Sequence, residues 1–328
     1  MVKLRSARYC NLKLLLIFCV VYGHWIEPWI WGDGALKLQY KMIYLVHMPL
    51  FAFLSGLFLR NGGDCIRSIM RTLPLYLLCQ GIAVLFGGGQ VKWLTPWWHL
   101  WYLLSLFWWS GAAWLWFRFG RGKGKGLILA ASILAGCLAG YVPWLGRFLS
   151  GSRTVVFFPY FWLGVMMEPG FDWKRLRLVS LGLLGLAAFP AAWILEDAGV
   201  AFLYQAGPFG SVEYGAALRL ACYAVGTSMG LTLLAWVPEG RLPFSRAGAD
   251  TMWVYLLHGP VVAALRELAV PPWAILAGSV GLIWAFYQVF RWNACYGVVP
   301  GERRERRWPR SRRFMKNTEN RSTNSCCP

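Results

Sequence analysis

The chain has 328 residues, 58% of them hydrophobic, with 21 tryptophans and a mean hydropathy of +0.46. Continuous apolar runs, rather than short alternating strands, exclude a membrane β-barrel and leave an all-α, polytopic transmembrane helix bundle. The formal charge of +19 does not point to nucleic acid, because most Lys and Arg lie in short stretches between apolar runs, where the positive-inside rule puts them.

Ten spans are expected, at roughly 12–31, 42–59, 72–88, 98–117, 127–146, 154–168, 178–195, 213–236, 250–269 and 273–291. One set of connections carries Lys3, Arg5 and Arg8; Arg60, Arg67 and Arg71; Arg118, Arg121, Lys123 and Lys125; Lys174, Arg175 and Arg177; Arg241 and Arg246; and the tail. The alternate set carries Lys37, Lys41, Lys92, Arg147 and Arg153. That asymmetry predicts both termini in the cytoplasm. Residues 1–295 read as one membrane-embedded domain with no cleavable leader, and 296–328 as a basic, disordered cytoplasmic tail that touches anionic lipid.

The first run, LKLLLIFCVVYGHWIEPWIW, holds His24 and Glu27, with Lys13 near its start. Ionisable groups in a spanning segment are costly and mark functional sites. Eleven residues are close to three helical turns, so Lys13 and His24 share a face about 16 Å apart along the axis. Glu27, three residues on, shares it too. An imidazole can act as general base with Glu27 as its orienter, or simply bridge helices; spacing does not choose between these. Lys13 by itself reads as snorkelling to headgroups.

The second run places His47 beside Pro49, whose kink can open a cavity, and Ser55 and Gly56 allow close helix approach. His47 either lines a site or satisfies the carbonyl that Pro49 frees, and the first reading is favoured. Arg67 and Arg71 are i and i+4 at the start of the third run, a pair able to hold phosphates, although on spacing alone ordinary topological anchoring is the favoured reading. Trp98 and His99 open the fourth run within an interfacial aromatic belt. Arg153 opens the sixth on the outer side, where positive charge is disfavoured, and so has a stronger claim to a role. His258, before Gly259 and Pro260, reads as a helix-bridging histidine. The nine cysteines have no metal or redox spacing; Cys19, Cys79, Cys137, Cys222 and Cys295 read as small core residues. No P-loop, Gly-x-Ser-x-Gly or His-Glu-x-x-His is present, and no metal is expected.

Several blocks, in order, resemble the integral-membrane acyltransferase-3 family, close to its fucose 4-O-acetylase-related branch. They are Lys13 to His24 with GHWIEP, HMPLFAFLSG, RSIMRTLPLY, WHLWYLLSL, RTVVFFPYFWLG and YLLHGP. The resemblance implies an O-acyltransferase of the plasma (inner) membrane. It would move an acyl group, usually acetyl, from cytoplasmic acyl-CoA to a hydroxyl of a carbohydrate acceptor, as in O-acetylation of exopolysaccharide or other cell-envelope glycans. It carries the catalytic role to His24 and the cofactor-side roles to Lys13, Arg67 and Arg71. Glu27 would orient His24, and His47, Trp98, His99 and Arg153 would line the acceptor side. Membrane lipid surrounds the chain, nucleic acid is not a partner, and any protein that completes transfer would be a separate envelope-glycan biosynthesis protein. The alternative is a glycan-precursor flippase without covalent chemistry.

Overall fold

The computed structural model describes residues 7–295 apart from 87–90, 121, 211–212, 243–244, 246, 250 and 267–271. The expected tail and Cys326 and Cys327 lie outside these residues. Tertiary contacts divide the chain into Met1–Tyr287 and Gln288–Pro328. Among the described residues there are helices and no strands: α1 (Ala7–Ile26), α2 (Gly34–Leu57), α3 (Gly62–Phe86), α4 (Trp101–Phe119), α5 (Lys125–Leu138) and α6 (Gly151–Met166). They are followed by α7 (Arg177–Leu186), α8 (Ala188–Asp197), α9 (Val200–Leu203), α10 (Gly215–Trp236), α11 (Thr251–Arg266) and α12 (Pro272–Cys295).

Over its described residues, each expected apolar run is mainly helical. Among the described residues, four stretches are long and apolar enough to cross a membrane alone: Ala7–Trp29, Gly34–Leu57, Gly62–Phe86 and Gly215–Trp236. Trp173–Leu186 and Ala188–Asp197 add a fifth if the pair, bent by 44°, is one broken span. The others are shorter or diluted; α4 is 19 residues long but rich in tryptophan and carries Arg118 in its last turn. Bundles accept such helices when neighbours cover them, because the polar atoms are then buried in protein.

α1 packs on α2 and α11, α2 on α6 and α10, and α3 and α5 flank α4 and α6. Trp25, Tyr40, Trp109, Phe161 and Val262 are buried in the shared core. Outer faces stay apolar: Met70, Leu78, Leu85 and Phe86 on α3 and Leu178 and Leu186 on α7 are exposed. This is the pattern of helices whose outer neighbours are lipid.

The connections gather at two ends. At one, Arg8 donates to the Leu234 carbonyl at 2.9 Å and pairs with Glu239, which also pairs with Lys174. Arg60 reaches the Met167 carbonyl at 2.6 Å, and the Trp162 indole reaches the Lys125 carbonyl at 2.9 Å. The Lys174 ammonium holds the Glu239 carboxyl below the usual carboxylate range, so this clamp persists at neutral pH and is lost only on acidification through that lowered value. At the other end, Leu149 N–H donates to Leu94 O at 2.8 Å and Phe209 N–H to Gly140 O at 2.9 Å.

The α2–α6 crossing is closed to any side chain. A Cβ on Gly164 would lie 2.0 Å from the Phe53 carbonyl oxygen, and one on Gly56 would lie 1.9 Å from the Phe161 carbonyl oxygen. Both obstacles are backbone, so relief requires the helices to part. Gly164→Val is expected to cost about 3 kcal/mol, the upper range for overpacking, read as a lower melting temperature in detergent. An unchanged melt would show that the crossing is looser than this.

Candidate active site

The polar stripe of α1 borders a chamber of about 200 Å³ at the second end of the bundle. Its walls include His24, Glu27, His47, Trp98, His99 and Arg153, which come from α1, the Glu27–Trp29 turn, α2, the Trp98–Leu100 turn and α6. Pro28 cannot continue the α-helical ladder, so the chain tightens into a 3-10 turn at Glu27–Trp29. The Glu27 carboxylate then sits beside the imidazole, with Oε2 3.8 Å from His24 Nδ1, an ion-pair distance too long for a hydrogen bond.

Both Glu27 oxygens are engaged by residues distant in sequence. Arg266, in the last turn of α11, donates from Nη2 to Oε2 at 2.9 Å and also to the His24 carbonyl oxygen. The Tyr204 hydroxyl donates to Oε1 at 3.0 Å and accepts from the Tyr40 hydroxyl at 3.0 Å. The Arg266 guanidinium also lies 5.7 Å from the centroid of Trp98.

Three imidazoles meet. The His24 ring stacks on His258 at 5.3 Å and meets the edge of Trp98 at 5.0 Å, while His99 and His258 are 4.9 Å apart. His24 Nδ1, His99 Nδ1 and His258 Nε2 are buried without hydrogen-bond partners. His99 reaches this position because α11 carries Gly259, where a Cβ would lie 2.5 Å from His99 Cε1. Trp98 (φ +37°) and Ser150 (φ +60°) line the chamber in left-handed backbone, and Gln205 (φ +55°) sits between two lining residues. Strain of this kind gathers where the surroundings hold a site in place. Among the described residues, no group of three or more His, Cys, Asp or Glu is placed to hold a metal ion.

A second cavity of about 190 Å³ borders the other half of α1 and is lined by Lys13, Ser55, Arg71 and Tyr102. Met48 and Tyr255 line both cavities and form a shared wall. The model of the acyltransferase-3 family, described as an acyltransferase domain, matches residues 10–290. The chain belongs to this family. No curated protein and no solved structure matches it.

The acyltransferase therefore places the sequence-predicted residues in two groups. His24, Glu27, His47, Trp98, His99 and Arg153 share the larger chamber, and Lys13 and Arg71 share the second cavity. Arg67 departs from its partner: its side chain is 79% exposed and pairs with Asp64. His47 Nδ1 lies 2.6 Å from the Ile43 carbonyl of its own helix, so it does not satisfy the Leu45 carbonyl that Pro49 frees. His258 likewise bonds its own helix, at 3.1 Å to Val254 O, and is a member of the histidine cluster rather than a bridge. Among the described cysteines, Cys137 and Cys222 are buried, Cys19 and Cys79 are half-buried, and all four are free.

Sequence reading missed Arg266, Tyr204 and Arg147. Arg266 carried a usable signal: on the expected orientation it is a cation at the outer end of a late run, the argument that singled out Arg153. Tyr204 carried none, because nothing local marks a tyrosine whose partner is 177 residues away.

Proposed function

We propose that this membrane acyltransferase takes an acyl group, usually acetyl, from cytoplasmic acyl-CoA and transfers it to a hydroxyl of a cell-envelope carbohydrate. The six blocks in order favour the fucose 4-O-acetylase-related branch. The reading puts the ten helical runs across the plasma membrane with both termini in the cytoplasm, and the basic connections of the first end support that orientation.

One observation carries the reading: two cavities border opposite halves of one polar helix face and meet at Met48 and Tyr255. Lys13 and Arg71 hold CoA phosphates at the cytoplasmic mouth. The pantetheine arm passes the Met48–Tyr255 wall and brings the thioester to His24. Glu27 faces Nδ1, so Nε2 accepts the acceptor's hydroxyl proton. The hydroxyl oxygen attacks the thioester carbonyl, the new C–O bond forms, and the C–S bond breaks. The CoA thiolate leaves and recovers the proton from the imidazolium. Glu27, held by Arg266 and Tyr204, stabilises the transient positive charge.

The test is the purified protein in liposomes with acetyl-CoA and a cell-envelope glycan fraction. Free CoA should appear only when acceptor is present, and the glycan should gain acetyl mass. Translocated glycan without CoA release would instead identify a flippase.

A further inference from the structure

The chamber holds more positive charge than its own carboxylate balances. Glu27 lines it, and both its oxygens are already taken by Arg266 and Tyr204. Arg147 and Arg153 line the same chamber, and the ion pairs among the described residues include neither. Arg153 donates its Nε–H to the Tyr204 carbonyl at 2.9 Å and lays its guanidinium 4.8 Å from the Trp101 centroid. These contacts orient the group without neutralising it. A guanidinium does not lose its proton in a protein, so the surplus persists at any working pH.

The backbone between the two arginines is bent, and both side chains line the chamber. Leu149 (φ +47°) and Ser150 (φ +60°) are both left-handed, a conformation costly for non-glycine residues. They turn the chain between Arg147 on the exposed rim and half-buried Arg153 on α6. Arginine forks match carboxylate and phosphate oxygens in pairs. Trp98, Trp101, Tyr44 and Tyr204 add ring surface around the same space.

We propose that the acceptor is an anionic sugar whose carboxylate or phosphate sits between Arg147 and Arg153 while its reacting hydroxyl faces His24. The word acceptor rests on the acyltransferase reading above; the anion site rests on charge and geometry alone.

The test measures quenching of tryptophan fluorescence by glucuronate, glucose 6-phosphate and glucose on the full-length protein in detergent. Acetyl transfer to each sugar is read in the same preparations. At least one anionic sugar should bind about tenfold or more tightly than glucose, and the comparison of glucuronate with glucose 6-phosphate identifies the group preferred. Arg147→Gln should erase that preference and leave CoA affinity unchanged. Arg147 is exposed, so its variant tests the site even if Arg153→Gln fails to fold. Equal binding of all three sugars would overturn the proposal, as would a preference that survives Arg147→Gln or a loss that falls on CoA instead. Anionic preference without acetyl transfer would refute the enzyme reading and leave the site standing. Transfer to glucose without anionic preference would do the reverse.

Discussion

His24→Ala is expected to lower acetyl transfer by about 10²–10⁴-fold, the usual worth of a positioned general base. The imidazole is the group of the chamber that sits beside an anchored carboxylate and on the same face as Lys13, so no neighbour is placed to replace it. His258 stacks on the ring, and its Nδ1 is taken by Val254 O of its own helix. The variant should remain inserted and monodisperse, because the ring packs on Trp98 and His258 and its buried Nδ1 has no hydrogen-bond partner to lose. CoA release and glycan acetylation, measured beside a melting curve, check both halves. Transfer at the wild-type rate would remove His24 from the chemistry.

The second large effect belongs to Arg266. Arg266→Gln removes the charge that holds Glu27 Oε2 and weakens the grip on the His24 carbonyl oxygen. Hydrogen bonds to charged groups contribute about 1.5–3 kcal/mol, so kcat should fall by roughly 10–100-fold with little change in KM for acyl-CoA. Arg266 does not line the chamber, so it acts as a positioning residue through Glu27. Three further outcomes follow from that role: Arg266→Lys should recover part of the loss, Glu27→Gln should lose a similar amount, and the double variant should lose less than the sum. Additive losses, or a change confined to KM, would show that the arginine works elsewhere.

The two cavities explain why these effects separate by substrate. Lys13 and Arg71 line the second cavity, and Arg153 lines the larger chamber. On the proposed mechanism, changes at the first pair move KM for acyl-CoA, and changes near Arg153 move KM for the acceptor. Arg67 should matter less than Arg71, since its guanidinium already pairs with Asp64 in solvent.

Composition and hydropathy were enough to determine a helical membrane chain, because lipid forces backbone groups to bond within the segment. Helical periodicity was enough to put Lys13 and His24 on one face, because that relation lies inside α1; Glu27 falls just past it, in the Glu27–Trp29 turn. The same rule misled for Arg67 and Arg71: a shared helix face does not fix where long side chains end, and Asp64 captured one of them. Ser55 and Gly56 signalled a close crossing, yet only the structure shows α6 as its partner through Gly164. The joining of His24 with His258, of Glu27 with Arg266 and Tyr204, and of Arg147 with Arg153 was decided by tertiary structure alone. Each depends on which helix packs beside which, or on a strained turn, and neither is encoded in the period of one helix.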